Sequence, residues 1–154
     1  MADEYSMTAL LNQLRAVDLL RELDDDVLGV LAERVVVADF EPGAVVVAEG
    51  DDAAGMHVIL RGTALVEHAG RPIAVVGAGE HIGEIALLDG QPRVATVRAQ
   101  HDLRTGFLTS SDFLDVLEDS PSVALELLLA MTARFRLVEE RLADLEARLA
   151  DGAD

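Results

Sequence analysis

Glu84 and Arg93 stand nine positions apart in the segment Gly83-Glu84-Ile85-Ala86-Leu87-Leu88-Asp89-Gly90-Gln91-Pro92-Arg93-Val94-Ala95-Thr96-Val97, which is otherwise apolar and turn-rich. Gly83 permits a tight turn or a close backbone approach. Ile85 to Leu88 can form one short helical turn, whose first N–H groups have no intrahelical partner. Such groups suit an anion. Arg93 would add a permanently charged, bidentate clamp on a phosphate. In an empty site it is expected to be solvated. Glu84 would repel a phosphate and suits a pair of sugar hydroxyls instead. One acid for a ribose and one Arg with free amides for a phosphate describe a small nucleotide site. The plainer reading is a strand–turn–strand with a surface ion pair.

The surrounding elements follow from periodicity and turn residues. Residues 1–5 read as a loose end, and residues 6–33 as an N-terminal helix pair. Met7, Leu10, Leu11 and Leu14 have helical spacing. Asp24 to Asp26 suit the start of a second helix carrying Val27, Leu28 and Leu31. Residues 34–109 change texture, with short Val- and Ile-rich runs cut by Pro42-Gly43, Gly50-Asp51, Arg61-Gly62, Gly70-Arg71 and Gly77-Ala78-Gly79. Candidate strands are 34–40, 44–48, 56–60, 64–68, 72–76, 94–99 and 104–108, which implies a sandwich or barrel. Residues 111–150 read as two helices. Ser110-Ser111-Asp112 supply caps for the first, over 113–118. Pro121 opens the second and Gly152 can end it. One domain over 1–154 is the expected organisation.

The segment 83–97 resembles the phosphate-binding cassette of cyclic nucleotide-binding domains, as in bacterial catabolite activator proteins and kinase regulatory subunits. The family pattern is Gly-Glu, apolar residues, a variable turn, then Pro-Arg-x-Ala-Thr/Ser-Val. Ile82 replaces the usual aromatic before the glycine. Pro42-Gly43 and Glu49-Gly50-Asp51 extend the resemblance, as does Val17-Asp18-Leu19-Leu20, like the apolar lead-in to the sheet. It covers roughly Val17 to Arg148. It implies a mainly β fold with flanking helices: an eight-stranded jelly-roll β-roll, an N-terminal helix pair and a long C-terminal helix. It implies Glu84 on the ribose 2′-hydroxyl and Arg93 on the exocyclic phosphate, with Gly83 and Ile85 in the same turn. The N–H groups of Ala86 and Ala95 are the remaining donors. Val66, Ile73 and Ala74 fall where the family lines the base. Val94 stands where cGMP-preferring members often carry Thr or Ser, so cAMP is the expected ligand and cGMP the weaker one.

Charge and composition bound the rest. The 154 residues carry a formal charge of −17, which opposes nucleic acid and anionic membranes alike. There is no cysteine, and the four histidines have no close metal spacing, so no metal is expected and each histidine reads as a plain polar residue. No Ser-His-Asp order or carboxylate pair suggests an enzyme. Acidic residues at the start and short apolar runs point to a cytoplasmic protein.

Leu128, Phe135, Leu142 and Leu149 repeat every seven residues, with Met131, Val138 and Leu145 between them. This is an a/d seam. Arg134, Arg141 and Arg148 occupy g; Glu139 and Glu146 occupy e. Only a parallel pair sets Arg134 against Glu139 and Arg141 against Glu146, so a parallel homodimer is expected. The alternative is a helix packed on its own sheet, which accounts for the first half of the seam. The family resemblance also sets Val138 and Glu139 near the purine and offers Arg134 as a partner for Glu84. The sequence leaves both roles open. The functional expectation is a cAMP-binding regulatory protein whose ligand repositions the C-terminal helix. The alternatives are a truncated cyclic nucleotide-responsive transcription factor and a structural dimer that has lost its ligand.

Overall fold

The computed structural model describes residues 7–17, 20–21, 23–83 and 86–152. The expected loose end at 1–5, Asp18 and Leu19 of the apolar lead-in, and Glu84 and Ile85 of the cassette lie outside them. Two helices come first, α1 (Met7–Arg15) and α2 (Asp25–Arg34). Eight strands follow: β1 (Val36–Phe40), β2 (Val45–Val47), β3 (Gly55–Arg61), β4 (Thr63–His68), β5 (Arg71–Gly77), β6 (His81–Ile82), β7 (Thr96–Ala99) and β8 (Leu103–Thr109). A single turn, α3 (Ala86–Asp89), separates β6 from β7. The chain then forms α4 (Ser110–Asp119) and α5 (Pro121–Asp151).

The strands make two four-stranded antiparallel sheets, ordered β1-β8-β3-β6 and β2-β7-β4-β5. This is the expected jelly roll, in which double-sheet closure leaves few free edges. β6 was absent from the candidate strands. Two residues are too few to carry a period, and it exists because His57 and Val58 of β3 pair with Ile82 and His81. β7 starts later than expected, since the backbone of Arg93 is bonded to the β2–β3 loop rather than to a strand.

β3 divides the core. Its alternate residues Met56, Val58 and Leu60 face a helical core with Leu14, Leu28, Leu31, Leu108 and Phe113. Ile59 faces the space between the sheets, with Ala64, Val97, Ala99 and Leu103. A strand covered on both sides reads as a continuous apolar run. The inter-sheet core has fewer fully buried residues than the helical one.

The helix ends follow local chemistry. Asp24 caps α2 by accepting from the Val27 N–H at 3.0 Å. α4 begins earlier than expected, because β8 runs straight into it. Thr109 is the cap, its Oγ1 accepting from the Asp112 N–H at 3.0 Å, and Ser110 to Asp112 lie inside the first turn. Pro121 opens α5, and Gly152 follows its last turn in an ordinary right-handed conformation. Val123 and Leu127 are the buried residues of α5. From Leu128 onward the helix stands in solvent, with Phe135 at 64% and Leu149 at 67% exposure. The whole seam, including its first half, is therefore uncovered within one chain. Among the described residues no helix is long and apolar enough to cross a membrane.

Candidate functional site

Gly83 follows β6 at φ 80°, a conformation that disfavours any side chain. A Cβ there would also collide with Nη1 of Arg93. The turn is what requires the glycine; a Cβ would displace the flexible end of Arg93 that packs against it. Arg93 Nη2 donates to the Gly55 carbonyl at 2.6 Å. The backbone of Arg93 is held as well: its N–H donates to Asp51 O and its carbonyl accepts from the Gly50 N–H, both at 2.8 Å. Glu49 N–H donates to Thr96 Oγ1 at 3.0 Å. The β2–β3 loop therefore grips the cassette from Arg93 to Thr96. Arg93 was expected to be solvated. It is half-buried, and burial lowers its pKa from the ordinary value, although a guanidinium stays charged.

Arg93 borders a cavity of about 300 Å³, together with Val45, Val47, Asp51, His57 and Phe107. His57 is buried, at 7% exposure. Its Nδ1 lies 3.0 Å from Thr105 Oγ1. Its ring is tilted against Phe107 with centroids 4.6 Å apart, and meets the edge of Phe40 at 6.3 Å. Burial, and secondly the charge of Arg93, push its pKa down to about 4. His57 is thus neutral at pH 7, beside a cation it does not repel. Sequence reasoning missed this group. The one available signal was its place inside the apolar β3 run.

The other expected site residues are distributed as follows. Val66 pairs with Ala74 across β4 and β5. Val66 is half-buried, and Ala74 is exposed. Ile73 is the extra residue of a bulge, between Pro72 opposite Glu67 and Ala74 opposite Val66, and is 61% exposed. Ala95 is half-buried and Val94 is 80% exposed. α3 begins at Ala86, so that N–H lies in the first, unpaired turn. Glu84 and Ile85 are outside the described residues. Arg134 and Val138 line a different cleft of about 900 Å³, with Arg21, Asp24, Leu137 and Arg141. It shares no residue with the Arg93 cavity. Glu139 is exposed on the same helix. Gly83 and Arg93 are brought into contact; Arg134 and Val138 are not brought to them.

Residues 37–120 match the cyclic nucleotide-binding domain model. The chain belongs to the cyclic nucleotide-binding domain family. Among its relatives is the Drosophila melanogaster cAMP-dependent protein kinase type II regulatory subunit, 34% identical over 107 residues, covering 67% of this chain and 27% of the relative. The Eimeria tenella cGMP-dependent protein kinase is 33% identical over 87 residues, covering 56% of this chain and 9% of the kinase. The chain therefore spans under a third of either relative. Among solved structures, the N-terminal domain of a transcriptional regulator from Streptomyces coelicolor A3(2) superposes with a TM-score of 0.77 at 31% identity, covering 83% of this chain and 95% of that one. The regulatory domain of Toxoplasma gondii PKA, co-crystallised with cAMP, gives 0.70 at 27% identity, covering 78% of this chain and 48% of that one.

The neutral state of His57 ties stability to acid. Its ordinary pKa is 6.5 and its folded value about 4. Below pH 6.5 the unfolded chain takes up this proton first, so stability falls with pH until the folded value is reached. Between pH 7 and pH 5 the contribution lost is about 2 kcal/mol. His57→Gln keeps a partner for Thr105 but does not titrate. Its urea midpoint is expected to fall less than that of the wild type over this range; parallel slopes would refute the assignment.

Proposed function

We propose that this domain binds a 3′,5′-cyclic nucleotide, cAMP in preference to cGMP, and serves as a regulatory binding module rather than an enzyme. The observation that carries this is the Gly83–Arg93 contact. It holds a permanent cation in a half-buried position where, among the described residues, its hydrogen bond is to the Gly55 carbonyl alone. A carbonyl offers only a dipole, and an exocyclic phosphate offers a full charge in the same reach. The N–H groups of Ala86 and Ala95 would complete the phosphate shell, with Glu84 on the ribose. Val66 and Ala74, facing each other across β4 and β5, would lie under the base.

The exposed seam of α5 supports a parallel homodimer. A row of apolar residues from Leu128 to Leu149 in water is an interaction surface. Its flanking charges fit a second, parallel copy. We further propose that nucleotide binding repositions this helix; bringing Val138 or Glu139 to a purine requires it to leave the cleft over Arg21 and Asp24. A second reading, the ligand-sensing part of a transcription factor, is favoured by the likeness to the Streptomyces regulator domain. The charge of −17 opposes direct DNA contact by this segment.

Arg93→Ala is expected to weaken cAMP binding by about 1.5–3 kcal/mol, roughly tenfold to over a hundredfold, in calorimetric titration. It also loses the bond to Gly55, so the titration belongs well below the unfolding midpoint. Unchanged affinity would remove Arg93 from the site. Base choice is expected to turn on Val94, which has no partner for a guanine 2-amino group. Val94 is open to water in the empty site, so any penalty arises only when a base covers it. Val94→Thr is expected to narrow the gap between cAMP and cGMP, and tighter cGMP binding by the wild type would reverse the preference. Leu142→Asp with Leu145→Asp is expected to give monomers in sedimentation while the sheets stay folded; a dimer of unchanged strength would put the interface elsewhere.

A further inference from the structure

His68 ends β4, immediately before the Ala69-Gly70 tip of the β4–β5 hairpin. Its Nδ1 lies 2.8 Å from the carbonyl oxygen of Val94 and 3.0 Å from Oε1 of Glu49. The same Glu49 oxygen accepts from the Ala69 N–H at 3.2 Å. Three separate segments meet at one imidazole: the hairpin that carries Ile73 and Ala74, the β2–β3 loop that grips Arg93, and the cassette itself. Both atoms facing Nδ1 are acceptors, so this nitrogen must carry a proton for the contact to be attractive. A neutral ring protonated on the other nitrogen would set three acceptors against one another.

We propose that His68 is a positioning residue: its Nδ1–H ties the hairpin tip and the β2–β3 loop to Val94, and so fixes the Arg93–Val94 turn for its anion. The ligand in this statement rests on the cyclic nucleotide reading above; the tie itself does not. Glu49 is the charged group facing the ring. The cassette presents a backbone carbonyl, the guanidinium of Arg93 being turned to Gly55, and Glu67 of the hairpin's own strand faces Arg98. Hydrogen bonding to Val94 and then the charge of Glu49 raise the His68 pKa above its ordinary 6.5. A raised value means that the ionic part of the tie, to Glu49, is complete below pH 6.5 and is lost as pH rises through the folded pKa, while a neutral ring with its proton on Nδ1 still donates to Val94.

The test follows the His68 ring and the amides of Val94, Ala95 and Thr96 by NMR in the ligand-free protein from pH 5.5 to 9, with cAMP titrations at both ends. The three amides are expected to shift with the midpoint of His68, and cAMP affinity to fall above it by no more than the few-fold an exposed ion pair contributes. His68→Asn places an amide donor near the position of Nδ1 and is expected to retain affinity with a flat pH profile. His68→Ala is expected to bind weakly throughout. Glu49→Gln is expected to lower the His68 midpoint. Amides indifferent to that midpoint overturn the tie; coupled amides with His68→Ala binding cAMP as tightly as the wild type overturn the positioning role. If no cAMP binds at either pH, the nucleotide reading fails and the amide titration alone decides the tie.

Discussion

A guanidinium packed against a glycine governs this site. Gly83 turns where a side chain would be strained, and the volume a Cβ would fill belongs to Arg93. The start and the end of the cassette are thereby pressed together across the intervening α3 turn. The Gly55 carbonyl adds β3 to the contact. β3 in turn has both faces covered, one by the helical core and one by the second sheet. The cation is thus seated on the most constrained strand of the molecule. Burial of His57 first, and then the charge of this cation, keep the imidazole neutral nearby.

Much of this was legible in the sequence, for identifiable reasons. The jelly roll announced itself through short β-branched runs with glycine turns between them, and the cassette through an acid and a Pro-Arg in one frame. Asp24 and Pro121 sit at helix starts, as their chemistry requires. What escaped depended on contacts between distant segments. β6 is a strand only because β3 is beside it. Thr109 caps α4 because β8 leaves no loop before it, whereas the sequence offered three better-looking caps just after. His57 and His68 looked alike as isolated polar residues. One is buried against Phe107 and Thr105, and the other holds two acceptors at the surface. Burial and partners separate them, and neither is a property of local sequence. The seam of α5 was legible as a pattern, but its complete exposure was not, because periodicity cannot say which neighbour covers a face.

The two clefts differ in their setting. The first, by Arg93 and His57, is walled by β2, the β2–β3 loop and β8, through Val45, Asp51 and Phe107. The second lies between α5 and the turn before α2, and its lining mixes Leu129 and Leu137 with Arg134 and Arg141.

Thr109 occupies an unusual junction. It is the last residue of β8, the partner of Gly55 across the ladder, and the cap of α4. No loop absorbs displacement between sheet and helix at this point. It is a joint without slack: the end of β8 and the first turn of α4 are one continuous segment, and Ser120 alone separates α4 from α5. Gly55 sits at the same joint, and its carbonyl is what Arg93 holds. On the proposed reading, an anion that draws the guanidinium away takes its load off this joint first.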